Sequence, residues 1–273
     1  MKIYYNILII NNIKEIYRYR YRYKYKMSIT AVLTVYKRPY TLIQQLQAIQ
    51  SQSVLPENII IWKNYSEGVC MPEIPLELKK NVIFIDSSKN FGVWGRFTVG
   101  LLVNSKYICV FDDDTIPGCD WFKNCIETMS KHRGLLGTIG LRFRRGNDYD
   151  VELPRKGWDG PSDITEQVDI VGHAWFFEKE WLSYLWQYQP DYNYMLAAGE
   201  DICFSYCLQK NGINTYVPPH PENNRDLWGS IPEIARHYGN DSNATYLQPD
   251  GCSKFDLALK QFISLGFITM NNR

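Results

Sequence analysis

The feature that most constrains this sequence is an apolar segment that stops at three consecutive carboxylates. Tyr107–Phe111 has the composition of a buried strand, and Asp112, Asp113 and Asp114 follow it directly. Carboxylates this close repel one another unless a cation neutralises them, and a divalent ion does so while keeping positions for phosphate oxygens. Because open α/β sheets bind ligands beyond the carboxyl ends of their strands, the motif predicts a metal and nucleotide site on such a sheet. The alternative is a turn or helix N-cap formed with residues 115–118.

The rest of the sequence alternates between short β-rich segments and helical segments. We expect strands at 29–36, 59–62, 82–86, 107–111, 138–143, 168–177 and 213–217. We expect helices at 39–50, 95–104, 121–132, 179–186, 200–211 and 257–265. Strands joined by crossover helices form mostly parallel sheets, so the predicted fold class is α/β, with a mostly parallel central sheet flanked by helices. The Gly-, Asp- and Pro-rich loop at 144–163 is long enough to be an acceptor loop or a lid.

Size and charge limit the classes of protein that this chain can represent. The 273 residues are enough for one large domain, and 45% hydrophobic and 22% charged residues are typical of a globular protein. Residues 1–26 hold seven Lys and Arg against one Glu, which leaves 23 basic and 28 acidic residues and a net charge of −5 in the remainder. We therefore expect no nucleic acid as the main ligand, since proteins that bind it are basic.

The first 26 residues differ from all that follow, because Tyr alternates with Arg or Lys from 17 to 26. Such a segment can form a two-faced strand, a membrane-surface patch or a nucleic-acid arm. We favour a disordered leader, or sequence upstream of a start at Met27, because Ile29 opens a strand pattern directly afterwards.

The predicted organisation is a leader at 1–26 and a single domain at 27–273. The apolar segment 3–13 is too short and too polar to cross a bilayer, so we expect no transmembrane segment. The seven cysteines are odd in number, and no secretory signal precedes them. This usage predicts reduced thiols and a cytoplasmic location.

Several motifs in order give the sequence a family resemblance. Beside the Asp triplet, they are Thr34-Val35-Tyr36-Lys37-Arg38-Pro39, Asn90-Phe91-Gly92, Gly172-His173-Ala174-Trp175-Phe176-Phe177 and Gly199-Glu200-Asp201-Ile202-Cys203. Together they resemble the GT-A-fold glycosyltransferases, in which the triplet corresponds to the DxD motif. The resemblance covers about residues 27–229 and is greatest to family-2-like and exostosin-like members, including domains encoded by large chlorella viruses. The loop after Phe143 and the segment after Trp228 match no motif of the family.

The resemblance implies a GT-A, Rossmann-like sheet with a smaller sheet on the acceptor side. Residues 27–114 would then be the nucleotide-binding half and 115–273 the acceptor half. The implied activity is transfer of a sugar from a nucleotide-diphosphate sugar, most simply a UDP-sugar, to a glycan acceptor. The implied cofactor is Mn²⁺ or Mg²⁺, and a viral member would act in the host cytoplasm.

The resemblance also assigns residues to the donor and the metal. Asp114 and Asp112 are the expected metal ligands, and His220 is the candidate for a late His that completes the shell, although a lone His is more often structural. Arg96 could clamp the diphosphate with its planar guanidinium, or it could be a surface cation. The expected donor residues are Thr34, Tyr36, Arg38, Asn64, Asn90, Arg96, Asp112 and Asp113.

Transfer to a hydroxyl also needs a carboxylate near the acceptor. Glu200 and Asp201 open a predicted helix, where negative charge is favoured and where simple N-capping is the alternative. We expect both to be catalytic: Asp201 would accept the proton of the hydroxyl or stabilise the positive charge that develops on the sugar, and Glu200 would be directed towards hydroxyls of the donor or the acceptor. His173, Trp175 and Trp228 are the candidates for contacts with sugars.

Two other functions compete with this interpretation. A sugar-phosphate nucleotidyltransferase also combines an α/β sheet with metal-binding carboxylates, but the sequence lacks an early Gly-rich phosphate loop after its first strand. A non-catalytic protein that binds carbohydrate or nucleic acid through its Tyr/Arg leader is the alternative outside enzymology. The sequence leaves open the sugar, the acceptor, the oligomeric state and the anomeric outcome.

Overall fold

A computed structural model of the chain describes residues 28–144, 149, 153–189 and 195–273. The predicted leader lies outside the described residues, as does part of the predicted loop at 144–163. All seven cysteines are described and are free thiols. In the described part of the chain, no helix is long and apolar enough to cross a membrane.

One mixed sheet of eight strands forms the centre of the structure. Its strands are β1 (Ile29–Val35), β2 (Asn58–Lys63), β3 (Val82–Asp86), β4 (Tyr107–Phe111), β5 (Gly134–Leu141), β6 (Glu166–Val168), β7 (Ile170–Glu178) and β8 (Asn214–Val217). They lie in the order β3-β2-β1-β4-β7-β5-β8-β6. Four of the seven pairings are parallel, and the α/β fold class with a mostly parallel sheet is therefore confirmed.

Helices and short 3₁₀ turns connect and cover these strands. The α-helices are α1 (Leu42–Gln50), α2 (Gly95–Thr98), α3 (Trp121–Lys131), α4 (Leu182–Leu185), α5 (Glu200–Gln209), α6 (Pro232–Gly239) and α7 (Gly251–Ser264). The 3₁₀ turns are Pro39–Thr41, Leu76–Lys79, Val99–Leu102, Lys179–Trp181, Arg225–Leu227, Thr245–Leu247 and Met270–Asn272. Helix α6 lies within the segment after Trp228 that matches no motif, and it was not predicted; it begins at a proline, which is well tolerated at the first helical position.

The first half of the sheet brings several strand ends to one edge. β1 pairs in parallel with both β2 and β4, so that Thr34 lies beside Trp62 and Leu33 beside Phe111. The residues that follow these strands therefore emerge side by side. This register places the Asp triplet next to the segment after β1.

The strands of the predicted acceptor half belong to the same sheet rather than to a second one. β7 is antiparallel to β4 on one side and to β5 on the other. Its almost fully buried run of apolar and aromatic residues packs on both faces of the sheet, which lets it join the two halves. The smaller separate sheet implied by the resemblance is not present among the described strands.

Glycines explain why β5 begins four residues before the predicted start. Gly134, Gly137 and Gly140 weaken the strand pattern in sequence, yet all three lie in β5. A Cβ on Gly137 would come within 2.3 Å of Val171 Cβ, and one on Gly140 within 2.6 Å of Val217 Cγ2. The small residues are therefore required for close packing of β5 against its neighbours.

Candidate active site

A cavity of about 580 Å³ lies beyond the carboxyl ends of β1, β2 and β4. Thr34, Asn64 and Asp112, each at or just after the end of one of these strands, line one side. The other side is lined by β7 around His173 and by the start of α5 at Glu200. The cavity thus occupies the edge at which open α/β sheets bind ligands.

The carboxylates of the Asp triplet have different surroundings. Asp113 Oδ1 lies 2.8 Å from Arg38 Nη1, and Asp114 Oδ2 lies 3.7 Å from the same atom. Burial and the Asp114 charge raise the pKa of Asp113 to about 7. Burial would also raise the pKa of Asp114, but the charges of His173 and Arg38 outweigh it and lower that pKa. Asp114 therefore stays ionised at neutral pH.

His173 reaches the triplet because of an unusual backbone. Its φ is +62°, in the left-handed region that a residue with a Cβ seldom adopts, and it follows Gly172 opposite a register shift in β5. The strained residue is held by its own carbonyl, which accepts bonds from Asp112 N (2.8 Å) and Thr115 Oγ1 (2.9 Å). Strain of this kind concentrates at functional sites.

The donor atoms around His173 fit a divalent cation. One ligand atom each of Asp112, Asp114 and His173 lies within 4.8 Å of the other two. His173 Nδ1 is buried, lies 3.4 Å from Asp114 Oδ1 and makes no hydrogen bond of good geometry. A buried nitrogen without a partner is costly, and a cation between it and the two carboxylates would satisfy all three groups. Asp112 and Asp114 are the two predicted carboxylate ligands.

The cavity is lined by more acidic than basic residues. Among the described residues that line it, there are four arginines and six carboxylates, a formal excess of two negative charges when every group is ionised. They are Arg38, Arg96, Arg155, Arg236, Asp112, Asp113, Asp114, Asp159, Glu200 and Asp201.

Arg96 links the Asp112–Asp114–His173 cluster, called the metal cluster below, to the carboxylates of α5. Its Nη1 contacts Asp112 Oδ1, its Nη2 lies 2.7 Å from Glu200 Oε1, and its guanidinium stacks 4.5 Å from the Trp175 ring centroid. The side chain is buried and both ends of its fork are used. Arg96 and Trp175 therefore line the cavity as predicted, but in a structural bridge. The diphosphate clamp expected of Arg96 would require breaking two buried ion pairs.

The two carboxylates at the start of α5 differ in whether they are paired with a cation. Burial raises the pKa of Glu200 to about 8, an effect that the Arg96 charge only partly offsets. Burial also raises the pKa of Asp201 to about 6, although a hydrogen bond from Ile202 N (2.7 Å) opposes the shift. Gly199 supplies the left-handed turn (φ +99°) before both residues. In the described structure Asp201 makes no ion pair, so it is the carboxylate that can act on a ligand.

An amide network forms the wall at the ends of β1 and β2. Asn64 Nδ2 donates to Asn90 Oδ1 at 2.8 Å, and Asn90 Nδ2 donates to Tyr36 Oη at 3.1 Å. Gly92 has a left-handed backbone (φ +59°), and a Cβ there would lie 1.8 Å from Leu196 O. The predicted donor residues Tyr36, Asn64 and Asn90 are thus held together by hydrogen bonds before any ligand binds.

Arg38 connects the triplet to a segment that the sequence did not reveal. Beside its pair with Asp113, its Nη2 lies 2.9 Å from Asp241 Oδ1. Tyr40 Oη also donates to Asp241, at 3.1 Å. Burial of Asp241 is outweighed by the bonds from Arg38 and Asn243, and the pKa of Asp241 falls to about 2. This pairing, 203 residues apart in sequence, brings the segment after α6 to the cavity.

Two predicted site residues lie elsewhere. His220 is buried beside Pro218, whose carbonyl is 2.9 Å from Nδ1, and its ring meets that of Trp228 edge-on at 5.4 Å. Trp228 donates its indole N–H to Pro221 O. Neither residue lines the cavity, because the proline-rich loop packs them against each other. His173, predicted to contact sugar, is instead the His beside the metal carboxylates.

The remaining predicted residues lie in the cavity. They are Thr34, Tyr36, Arg38, Asn64, Asn90, Arg96, Asp112, Asp113, Asp114, His173, Trp175, Glu200 and Asp201. Sequence reasoning missed Arg155, Trp158, Arg236 and Asp241. Arg155 and Trp158 lie in the predicted acceptor loop at 144–163, which was the only signal for them. Arg236 and Asp241 had no signal in the sequence.

Comparison with known proteins gives little beyond this description. No family model and no curated protein matches the chain. Among solved structures, it is similar to residues 1–349 of TarS from S. aureus in complex with UDP, with 15% identity, a TM-score of 0.48, and coverage of 70% of this chain and 60% of that one. A second structure of the same TarS residues gives 14% identity, a TM-score of 0.48, and coverage of 88% and 74%. In the first comparison the chain spans less than two thirds of the TarS chain, and neither likeness is close enough to bear on activity.

The fold and the site by themselves define the class. The chain is an α/β protein whose mixed, eight-stranded sheet carries a carboxylate-rich ligand cavity at its parallel strand ends. The cavity contains an Asp-Asp-His cluster that fits a divalent metal ion.

Proposed function

We propose that the protein is a metal-dependent glycosyltransferase that moves a sugar from a nucleotide-diphosphate sugar, in the simplest case a UDP-sugar, to a hydroxyl of a glycan. The observation that carries the proposal is the meeting of the Asp112–Asp114–His173 cluster and the Glu200–Asp201 pair in one cavity. The motifs that resemble GT-A glycosyltransferases supply these residues. The resemblance to viral members stays a prediction.

Binding of the nucleoside is assigned to the wall at the ends of β1 and β2. The Tyr36 ring can stack on a base, and the Asn64 and Asn90 amides can donate and accept hydrogen bonds. Their mutual hydrogen bonds fix the wall in advance, which lowers the entropy lost on binding. Thr34 lines the same wall with a buried hydroxyl that has no partner among the described residues.

Departure of the diphosphate needs neutralisation of its growing negative charge. A divalent cation held by Asp112, Asp114 and His173 would neutralise that negative charge as a Lewis acid. Asp114 contributes a carboxylate whose lowered pKa keeps it ionised at neutral pH. Asp113 is directed to Arg38 and holds the ligand-bearing segment to the end of β1.

We assign to Asp201 the role of accepting the proton of the acceptor hydroxyl. It lines the cavity, and its pKa of about 6 places an efficient base close to neutral pH. Glu200 is held by Arg96, which also contacts Asp112. Arg96 is therefore a positioning residue that keeps α5 and the metal cluster at a fixed separation.

The experiment is a screen of sugar nucleotides with Mn²⁺ or Mg²⁺ in which released nucleoside diphosphate is measured. We expect release with one class of sugar nucleotide, loss of release in EDTA, and recovery when the cation is restored. Release of pyrophosphate from a nucleoside triphosphate and a sugar phosphate would instead identify a nucleotidyltransferase. Cation-independent binding of carbohydrate without turnover would identify a non-catalytic protein.

A further inference from the structure

Arg155 is the exception among the arginines of the cavity. Arg38 pairs with Asp113 and Asp241, Arg96 with Asp112 and Glu200, and Arg236 with Asp159 at 3.0 Å. Arg155 lines the cavity, yet its side chain has no hydrogen-bond or ion-pair partner among the described residues. A partly buried cation without a counter-ion is costly unless an anion joins it.

The turn that carries Arg155 is firmly built. Trp158 N and Asp159 N both donate to Arg155 O, and Arg155 N donates to Asp159 Oδ2 at 2.6 Å. Lys156 exchanges two backbone hydrogen bonds with Gly140 of β5. Gly157 has a φ of +94°, and a Cβ there would lie 2.0 Å from Thr138 O. Backbone bonds and close packing, rather than the Arg155 side chain, hold the turn against β5.

A second donor on this turn also lacks a partner. Trp158 lines the cavity, and its indole N–H is buried without an acceptor in the described structure. Its ring meets His173 edge-on, with centroids 4.6 Å apart, so the turn stands directly beside the metal cluster. Arg236 stacks over the other part of the ring, 5.4 Å from its centroid. Unmatched donors next to a metal cluster match a ligand that is rich in anionic oxygens.

We infer that Arg155 and Trp158 form an anion subsite that binds a phosphoryl group next to the metal cluster. Arg96, the arginine expected to clamp the diphosphate, is not free for such a group, because both ends of its fork are already occupied. A phosphoryl group offers several oxygens to a planar guanidinium and an indole N–H at once. The group has two sources: the diphosphate of the donor, or a phosphorylated acceptor. The biological meaning of the subsite rests on the proposed function, but its existence does not.

The test compares wild type with Arg155→Gln in Mg²⁺ by titration with inorganic phosphate, UDP and uridine, followed by NMR. We expect phosphate to bind about 10- to 100-fold more weakly to R155Q, as for the loss of a charge-assisted bond, and uridine to bind equally. Arg225→Gln is the matched control, because Arg225 is exposed and pairs with Glu233 outside the cavity. R155Q should have the same melting temperature as wild type; if it does not, Arg155→Met, which also removes the charge, takes its place.

Phosphate titrated into protein saturated with UDP and Mg²⁺ separates the two sources. If phosphate still binds and still depends on Arg155, the subsite serves the acceptor. If phosphate no longer binds and UDP itself is weakened in R155Q, the subsite holds the donor diphosphate. Equal binding of phosphate and UDP by wild type and R155Q, or no binding of either by wild type, overturns the inference. Failure of the proposed function would appear separately, as absence of diphosphate release in the sugar-nucleotide screen.

Discussion

The two sides of the cavity are assembled in different ways. The donor side takes Thr34, Asn64 and Asp112 from the ends of adjacent parallel strands, whose register fixes their separation. The acceptor side takes its residues from a turn, a helix start and the segment after α6. That last segment is held by few pairs, such as Arg38 with Asp241. Strand register is set by a whole buried sheet, whereas such a pair depends on two side chains, so a single substitution should displace the backbone less at the strand ends than in the segment after α6.

The largest expected effect is on the donor side. Asp114→Asn removes the ionised ligand of the cluster, so we expect metal-dependent turnover to fall by roughly two to four orders of magnitude with an unchanged fold. Assays across Mn²⁺ concentrations measure the loss, and thermal melts measure the fold. Asp86→Asn is the matched control, since Asp86 ends β3 and pairs with Lys63 outside the cavity. Unaltered turnover and Mn²⁺ dependence in D114N would remove Asp114 from the metal site.

The next effect separates the acceptor side from the donor side. Asp201→Asn should leave binding of the sugar nucleotide nearly normal and slow transfer by roughly two to four orders of magnitude, because the base is lost. Calorimetry and a rate assay give the two quantities. Equal losses in both would move Asp201 to the donor side. Glu200→Gln is the companion variant, because Glu200 is in a buried pair with Arg96.

Protonation gives a third comparison, in the absence of metal. Burial raises the pKa of Glu200 to about 8, of Asp113 to about 7 and of Asp201 to about 6. A carboxyl whose pKa is raised by folding contributes stability at pH values below its ordinary pKa and loses that contribution as the pH rises through the raised value. We therefore expect the melting temperature to fall between about pH 5 and pH 8 by several degrees.

Thermal melts across this range, with EDTA or Mn²⁺, check the expectation. Mn²⁺ should reduce the fall, because the cation offsets the negative charge that accumulates in the cavity. Glu200→Gln should flatten the upper part of the curve. A melting temperature that rises with pH would contradict the assigned shifts.

The smallest effect concerns the pair that holds the segment after α6. Asp241→Asn weakens the bond to Arg38, which is worth about 1 kcal/mol for a partly buried charged pair, so the melting temperature should fall by about 2–4 °C. Glu233→Gln, which breaks an exposed pair with Arg225, should change it by less than about 1–2 °C. Melts of both variants provide the test. Equal shifts would mean that Asp241 does not fasten this side of the cavity.

The sequence predicted the residues at the strand ends better than those held by long-range contacts. Asp112 and Asn64 were predicted because they follow apolar runs, and parallel strands bring such ends together. The place of His173 beside the carboxylates was not predicted, because His173 reaches them only through a left-handed backbone at a register shift, which no local pattern indicates. His220 had the composition of a ligand, but its loop packs it against Trp228. The position of Asp241 depends on its contact with Arg38, which is distant in sequence, and that of Arg155 depends on the turn at Gly157. A local sequence pattern indicates neither.

In the proposed function, one cavity holds a catalytic metal ion and the donor diphosphate. A crystal grown with UDP and Mn²⁺, and measured near the manganese absorption edge, is the most direct test. We expect one strong anomalous peak between Asp112, Asp114 and His173, with diphosphate oxygens as further ligands. A peak at another place, or UDP bound away from the ends of β1, β2 and β4, would contradict it.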